Sequence, residues 1–280
     1  MLKIIVFIKQ VPDTSSKAGV NPDGTIDRAR AKRMLNTFDK YALQKALEVK
    51  NSVGAEIVCV TMGPPPAREI LVEGLEYGAD MGILLTDKRL AASDTLATAY
   101  ALHMVAKYVG DFDLILTGLQ TTDGDTAQTG PQIAERLNIP QITYCEQLSV
   151  NGNTVSAKRI IEAGHQEVEL EMPALITMAN SATPLEFKRF ANVAAVKKLL
   201  RNKQESEKKI KAVNLDDIGA DPKRAGLVGS PTVVGKTWKL GDIGGSCKVF
   251  QGEALDREIE ELAENLAKDD RGIDKLVANG

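Results

Sequence analysis

The chain has 280 residues, of which 43% are hydrophobic and 26% charged, and its formal net charge is −3. These proportions are those of a globular protein with enough material for one large domain or two unequal ones. The slightly negative charge and the aromatic content of 4% disfavour nucleic-acid binding. The apolar run at 4–8 is too short for a signal peptide, and no stretch predicts a membrane span, so we expect a cytoplasmic protein.

Cysteine and histidine are too sparse for the sites that they usually build. Cys59, Cys145 and Cys247 are scattered, which fits neither a disulfide framework nor a CxxC metal site. We interpret Cys59, inside a predicted strand, as a buried apolar residue. His103 and His165 have no clustered partners, so we predict neither a metal site nor a catalytic residue.

The first half of the chain alternates between short apolar runs and segments with helical periodicity. Apolar runs predict strands that are buried on both faces, and this alternation is typical of a parallel sheet covered by helices. We therefore predict a doubly wound, mostly parallel, Rossmann-like α/β fold. The predicted strands are 4–8, 56–60, 82–85 and 113–116, the predicted helices begin near 36, 67, 93 and 127, and a long connection covers 14 to about 35.

The pattern changes after residue 142. Asn151 and Gly152 predict a hairpin turn between two antiparallel strands, and the alternation at 167–171 indicates a half-exposed strand. The apolar run 174–177 is predicted to return to the sheet. We assign 1–200 to a nucleotide-binding domain and 201–280 to an extended arm that ends in an amphipathic helix at 254–267. This arm is predicted to dock on a partner; the alternative is that its helix packs on the protein's own sheet.

The polar loop 117–132 follows a predicted strand and opens a helix, which is where open α/β sheets bind ligands. Its threonines, its glycines and the helix N-terminus predict a phosphate cradle; the alternative is an ordinary loop in which Asp125 or Thr126 caps the helix. No GxGxxG, GxxxxGK[ST] or GxSxG motif occurs, so the usual dinucleotide fingerprint, the P-loop and the nucleophile elbow are missing. Asp123 and Asp125 alone are a weak signal for Mg²⁺ or for acid–base chemistry.

Five motifs together resemble the β subunit of electron transfer flavoproteins over nearly the whole chain. Ala163 departs from that family, which usually has an acidic residue or glycine there. The motifs are 6–13 (VFIKQVPD), 35–43 (LNTFDKYAL), 61–65 (TMGPP), 123–132 (DGDTAQTGPQ) and 157–164 (AKRIIEAG).

The resemblance implies a nucleotide pocket at the ends of several strands. Most members of the family hold AMP there, whereas the electron-bifurcating members hold a second FAD. The segments 11–14, 93–98, 123–128 and 229–233 resemble the bifurcating group, so we expect FAD rather than AMP. The implied cofactor-binding residues are Phe7, Ile8, Lys9, Asn36, Thr37, Phe38, Asp39, Met62, Gly63, Thr95, Thr98, Thr121, Thr122, Asp123, Gly124, Asp125, Thr126, Ala127, Gln128, Thr129, Gly130 and Gln132.

By the same resemblance, the protein works as a heterodimer with an α subunit and has redox activity only in that complex. NADH would give a hydride to the FAD, and the electrons would pass to ferredoxin and, through FAD on the α subunit, to a dehydrogenase of the acyl-CoA or hydroxy-acid type. The alternative is a non-bifurcating carrier that binds structural AMP and receives electrons from acyl-CoA dehydrogenases. The implied recognition segment for the dehydrogenase contains Leu185, Phe187, Lys188 and Arg189.

Two other classes of function stay open at this point. One is an ATP-using or ATP-sensing domain on a similar sheet, but ligases of that kind need an SGGxDS loop where this chain has KQVPD at 9–13. The other is a structural partner subunit in which AMP only stabilises the fold.

Overall fold

The computed structural model describes residues 1–13, 32–233, 259–260 and 263–264. The chain divides into two compact units, Met1–Gly235 and Lys236–Gly280. The elements named below all belong to the first unit. Cys247 and most of the predicted helix 254–267 lie outside the described residues, and the division at residue 200, which rests on docking to a partner, stays a prediction.

The described elements alternate in the first half of the chain as the sequence predicts. The strands are β1 (Leu2–Phe7), β2 (Gln10–Pro12), β3 (Arg33–Leu35), β4 (Ala55–Met62), β5 (Met81–Leu85), β6 (Leu114–Gly118), β7 (Gln141–Asn151), β8 (Thr154–Ile161), β9 (Gly164–Glu171), β10 (Ala174–Met178) and β11 (Ile210–Val213). The α-helices are α1 (Thr37–Val53), α2 (Arg68–Tyr77), α3 (Thr95–Val109), α4 (Thr129–Leu137), α5 (Phe190–Leu200) and α6 (Lys203–Lys209).

Nine of these strands form one sheet in the order β11-β5-β4-β1-β6-β10-β7-β8-β9. β1 lies between β4 and β6 and is parallel to both. The chain leaves β1 through α1 towards β4 and later returns through α3 to β6 on the other side. The connections after β1 and β6 therefore diverge, and this switch point creates a crevice at the carboxyl ends of the two strands.

β1 shows why a continuous apolar run suits a central strand. Ile4 and Val6 belong to a core that includes residues of α1 and α2, whereas Ile5 and Phe7 belong to a second core with residues of α3 and α4. Because successive side chains point to opposite faces of a strand, both sets must be apolar. The predicted doubly wound α/β fold is confirmed.

The antiparallel additions are also confirmed. β7 pairs in parallel with β10 and in antiparallel fashion with β8, and β8 pairs with β9. The turn at Gly152 has a φ of 57°, a conformation that glycine adopts without strain. β10 returns to the sheet between β6 and β7, as the apolar run predicts.

Three features differ from the predictions. Residues 33–35 are not part of the long connection, because β3 pairs with β2 in a separate two-stranded sheet. β11 was not predicted; it extends the main sheet beside β5, with Ile210 and Val213 buried and the two residues between them exposed. α5 begins at Phe190, four residues before the basic segment 194–200 that the sequence predicts to be helical. In the described part of the chain, no helix combines the length and the apolar character needed to cross a membrane.

Candidate nucleotide-binding site

The switch point joins the end of β1 to the start of α1. Phe7 and Ile8 are buried, and the backbone of Lys9 makes two bonds to residues that follow β3. Its N–H donates to Asp39 Oδ2 at 2.7 Å, and its carbonyl accepts from the Asn36 N–H at 2.9 Å. The predicted site residues of β1 and α1 are therefore neighbours.

Asn36 connects this unit to the loop after β6. Its side chain is fully buried. Nδ2 donates to the Gln120 carbonyl at 2.8 Å, and Oδ1 accepts from the Thr122 N–H at 3.2 Å. Asn36 occupies the N-cap position of α1 but makes no side-chain capping bond there, because the amide holds the neighbouring loop instead. Thr37 is exposed and Phe38 half-buried at the start of the helix.

Asp39 is a buried carboxyl beside β6. Burial raises its pKa to about 7, although hydrogen bonds from Asn36, Lys9 and Gly118 favour the ionised form. A Cβ on Gly118 would lie 2.5 Å from Asp39 Oδ1 and 2.6 Å from the Phe38 carbonyl carbon. The glycine thus permits the first turn of α1 to pack directly on the end of β6.

The loop after β6 closes on itself before α4 begins. The Thr121 carbonyl accepts from the Asp125 N–H at 2.9 Å, and Gln120 Nε2 donates to Asp125 Oδ1 at 2.9 Å. Asp125 and Ala127 have φ of 50° and 52°, a left-handed conformation that non-glycine residues rarely adopt. Such outliers are typical of ligand sites, where the surrounding structure holds a strained backbone.

The open side of this loop carries charge. Lys9 Nζ donates to Asp123 Oδ1 at 2.8 Å, so the pair spans the crevice between the ends of β1 and β6. Both side chains are partly exposed, and a pair of this kind contributes little to stability. Gly124 and Thr126 are exposed beside it. An ammonium group therefore stands at the mouth of the crevice, within reach of an anion.

α4 begins at Thr129, two residues later than predicted. Gln128 is the N-cap, and no side chain caps the helix, so the alternative in which Asp125 or Thr126 caps it is wrong. The first N–H groups of a helix lack acceptors within it, and here they face the end of the loop. A Cβ on Gly130 would meet Thr177 Cγ2 at 2.8 Å, so the helix start packs closely on β10.

Two further segments reach the same edge of the sheet. The parallel pairing of β1 with β4 places Met62 and Gly63 beside the end of β1. On the other side, Thr95 Oγ1 donates to Gln128 Oε1 at 3.3 Å and accepts from Gln132 Nε2 at 3.4 Å. Thr95 therefore joins the phosphate cradle, defined here as residues 121–132.

Thr98 lies one turn further along α3, and the structure records only its backbone bond to the Asp94 carbonyl, at 2.9 Å. Gln132 Oε1 is buried, and no donor reaches it among the described residues. A ligand hydroxyl could supply that donor.

The predicted recognition segment lies elsewhere. Lys188 Nζ donates to Glu76 Oε2 at 2.6 Å and lies 5.0 Å from the centroid of the Tyr77 ring, both near the C-terminal end of α2. The cradle lies at the carboxyl ends of the parallel strands, where α2 begins. The recognition segment lies near the end of α2, and therefore at the amino ends of these strands. Leu185 is half-buried, Phe187 is fully exposed, and Arg189 is the N-cap of α5.

In the part of the chain that the structure describes, the cysteine and histidine side chains are not grouped into a metal site. Cys59 and Cys145 are buried thiols, and burial raises the pKa of each to about 12. Among the residues that the structure describes, no three His, Cys, Asp or Glu side chains are grouped as around a metal ion. His103 is buried with Nδ1 against the Tyr100 carbonyl.

Of the residues that hold the site together rather than line it, sequence reasoning missed Gln120 and Thr232, whereas it predicted that 93–95 cap α3. Gln120 positions Asp125, and Asp94 fixes the start of α3 by accepting from the Ala97 N–H at 3.0 Å and from Thr232 Oγ1 at 2.8 Å. The capping role of Asp94 has a sequence signal, since aspartate is a preferred N-cap. The bond from Thr232, 138 residues away, has none.

Comparison with known proteins gives this geometry a family. A sequence model described as electron transfer flavoprotein domain matches residues 23–218. The electron transfer flavoprotein subunit beta of Clostridium acetobutylicum is 38% identical over 94% of this chain and 95% of its own length. The acryloyl-CoA reductase electron transfer subunit gamma of Anaerotignum propionicum is 39% identical over 85% and 88%.

A third relative is the caffeyl-CoA reductase-Etf complex subunit CarD of Acetobacterium woodii, which is 38% identical over 83% of this chain and 86% of its own length. Coverage of this extent leaves little of the fold unmatched, and the residues matched by the family model include α1 and β6, which border the crevice. The chain therefore belongs to the electron transfer flavoprotein family, as a protein of the β-subunit type.

Proposed function

We propose that this chain binds FAD at the switch point and works, as one subunit of a heterodimer with an electron transfer flavoprotein α subunit, in an NADH-dependent bifurcating complex. The observation that supports a nucleotide best is the uncapped start of α4, placed at the switch point behind a strained loop. A pyrophosphate would accept from the free N–H groups of that helix turn and from the Thr129 hydroxyl. We place the complex in the cytoplasm.

The residues present fit the phosphate-bearing half of such a cofactor. Lys9 supplies a positive charge at the mouth of the crevice, and Gln132 Oε1 offers a buried acceptor to a ribose hydroxyl. Asn36 holds the loops after β1 and β6 at a fixed separation. Because these contacts are already made, little conformational entropy would be lost when the nucleotide binds.

When bound, FAD would supply the redox chemistry, taking a hydride from NADH and passing electrons to ferredoxin and, through the α-subunit flavin, to a dehydrogenase. This chain's part is to bind and orient the nucleotide. The cradle holds its phosphates, the 36–39 turn borders the adenine, and Met62 and Gly63 border the path towards the partner. We assign no proton transfer to Asp123 or Asp125, because Asp125 is bonded to Gln120 and Asp123 is paired with Lys9.

The names of two relatives support FAD in a bifurcating complex over AMP in a simple carrier. One is a subunit of an acryloyl-CoA reductase and another of a caffeyl-CoA reductase complex. For this chain we infer a comparable acyl-CoA-linked or hydroxy-acid-linked partner, which the segment containing Leu185, Phe187, Lys188 and Arg189 would contact. Phe187 is the strongest candidate for that contact because it is a large, fully exposed apolar side chain.

The deciding experiment is the nucleotide content of the heterodimer, copurified with its α subunit and extracted after denaturation. We expect two FAD per heterodimer, and we expect NADH to bleach the flavin absorbance of the intact complex. One FAD and one AMP would overturn the bifurcating proposal and leave the non-bifurcating carrier. No nucleotide beyond the α-subunit FAD would overturn the assignment of the cradle itself.

A further inference from the structure

A cleft lies between α3, α4 and residues 221–231. Its basic side chains form no ion pair with a carboxylate of the described residues. Arg136 of α4 lies on one side, with Lys223 and Arg224 on the other, and the cleft has a volume of about 410 Å³. Leu96 and Val228 form its apolar rim. We call it the basic cleft. It adjoins the phosphate cradle, because Arg136 is one helical turn beyond Gln132 on α4.

The two arginines are held close together, with no counter-ion among the residues that the structure describes. Their guanidinium carbons lie 5.6 Å (Arg136) and 4.3 Å (Arg224) from the centroid of the Tyr100 ring. In the described part of the chain, no carboxylate forms an ion pair with either arginine or with Lys223. The ring provides a favourable cation–π contact, but it does not neutralise the charge.

The guanidinium of Arg136 has few hydrogen-bond acceptors among the described residues. Its Nε is buried with no acceptor among the described residues, and one Nη reaches only the Leu96 carbonyl, at 3.4 Å. The pKa of Arg136 is lowered by burial and then by the positive charge of Arg224. A buried donor without an acceptor is costly, and a carboxylate that accepted from this guanidinium would remove that cost.

The wall of the cleft is fixed in place by hydrogen bonds. The Gly226 N–H donates to Ser93 Oγ at 3.1 Å, and the Leu227 N–H donates to the Ala91 carbonyl at 3.0 Å. The Asp221 N–H donates to the Tyr100 hydroxyl at 2.8 Å. A Cβ on Gly226 would lie 1.8 Å from the Arg89 carbonyl oxygen, so the two chain segments touch there. The cleft therefore needs little ordering before it binds.

The rim identifies the kind of occupant. Val228 is 80% exposed and Leu227 52% exposed, beside Leu96 at 38%. A basic pocket surrounded by exposed aliphatic side chains suits a carboxylate carried on an apolar segment of another protein, since arginine and aromatic residues anchor the centres of such interfaces. A free nucleotide would leave these aliphatic side chains in water.

We propose that the basic cleft receives an aspartate or glutamate side chain, flanked by apolar residues, from the α subunit. The carboxylate would accept bonds from Arg136 and Arg224, and the flanking residues would cover Leu96, Leu227 and Val228. This inference rests on the heterodimer of the proposed function.

The test is the affinity between the two full-length subunits for the double variant Arg136→Gln with Arg224→Gln. We expect association weaker by about tenfold to a hundredfold and less dependent on salt than for the unmodified chain. The matched control is Lys107→Gln with Lys198→Gln, which removes the same charge from exposed positions on α3 and α5, outside the predicted docking arm, and should leave the affinity unchanged. FAD content, measured at saturating α subunit, should stay the same in both variants.

Unchanged subunit affinity in the arginine variant would overturn the proposal. So would a loss of NADH or inorganic-phosphate binding with intact subunit affinity, which would assign the cleft to a small anion.

If circular dichroism shows that the glutamine variant misfolds, Arg136→Lys with Arg224→Lys replaces it. This variant keeps the charge, and we expect it to retain most of the affinity together with its salt dependence. A lysine variant whose affinity does not depend on salt would count against the cleft. Loss of FAD with intact association would also overturn the proposal, by assigning the cleft to the nucleotide, whereas an unmodified heterodimer without a second nucleotide would contradict the proposed function.

Discussion

The buried carboxyl of Asp39 accepts a hydrogen bond from the backbone N–H of Lys9 at 2.7 Å, and this bond ties the start of α1 to the end of β1. The N–H of Gly118, at the end of β6, also bonds this carboxyl. One side chain therefore holds the two strands that define the crevice, at the cost of burying an ionisable group.

The Asp39 carboxyl makes stability depend on pH. Burial raises its pKa from 3.8 to about 7, so the carboxyl is protonated in the folded protein at pH values where it is ionised in the unfolded chain. The folded state then binds more protons, and stability falls as the pH rises from about 4 to about 7 and levels off above that. The slope contributed by one such group is at most about 1.4 kcal/mol per pH unit.

We therefore expect the variant Asp39→Asn to lose this slope. The measurement is the free energy of unfolding in urea at half-unit steps between pH 5 and pH 8 for both proteins. The unmodified chain should lose stability relative to the variant as the pH rises through this range. Parallel curves would show that Asp39 ionises at its ordinary pKa in the folded protein.

Gly118→Ala tests the close packing of α1 on β6. A Cβ at this position would lie 2.5 Å from Asp39 Oδ1 and 2.7 Å from the Asp39 backbone nitrogen, so the helix would have to move. We expect a loss of about 3 kcal/mol in the free energy of unfolding. The control Gly124→Ala places its Cβ 3.3 Å from the Thr121 hydroxyl, which can rotate away; a loss as large as that of Gly118→Ala would refute this explanation.

Asn36→Ala removes the link between the loops after β1 and β6. The Gln120 carbonyl and the Thr122 N–H lose their partner, and we expect about 2 kcal/mol of destabilisation together with weaker nucleotide retention. Asn51→Ala, at an exposed position of α1, is the control and should change stability by less than about 0.5 kcal/mol. Chemical denaturation and nucleotide extraction measure the two effects. Equal stability in both variants would contradict the bridging role.

Asp125→Ala with Thr129→Val tests the phosphate cradle. The first change frees Gln120 and the loop, and the second removes a hydroxyl from the first turn of α4. Because a hydrogen bond to a charged group contributes about 1.5–3 kcal/mol, we expect nucleotide affinity to fall by at least about tenfold. The control is Asp111→Ala, at an exposed position, with Thr154→Val, at a half-buried position of β8. Equal nucleotide content after dialysis in the two variants would argue against the cradle.

The sequence predicts the strands and helices of the first half well because their signals are local. β1, β4, β5 and β6 are apolar runs buried on both faces, and the hairpin between β7 and β8 has an Asn-Gly turn. β11 escapes prediction because it has four residues with a lysine in the middle, and only its pairing with β5 defines it. β2 and β3 escape prediction for the same reason, since each is defined as a strand only by its pairing with a segment more than 20 residues away.

For the site, the resemblance to a family predicts which segments meet, but not how they are held. Lys9 and Asp123 were each predicted to bind the cofactor, whereas their ion pair across the crevice needs the three-dimensional arrangement. The same is true of Asn36, which occupies the N-cap position of α1 where the sequence favours Thr37 or Asp39 near the cap. Its side chain instead bonds two backbone groups of another loop, because burial leaves those groups without water.

Hydrogen bonds of Thr232 and Thr95 connect the later part of the chain to the phosphate cradle. Thr232 donates to the carboxylate of Asp94, which caps α3; the next residue, Thr95, contacts Gln128 and Gln132. These five residues thus connect residue 232 to the first turn of α4. A displacement of the backbone at residue 232 would be transmitted to the first turn of α4 through Asp94, the N-cap residue of α3, and through neither hydrophobic core.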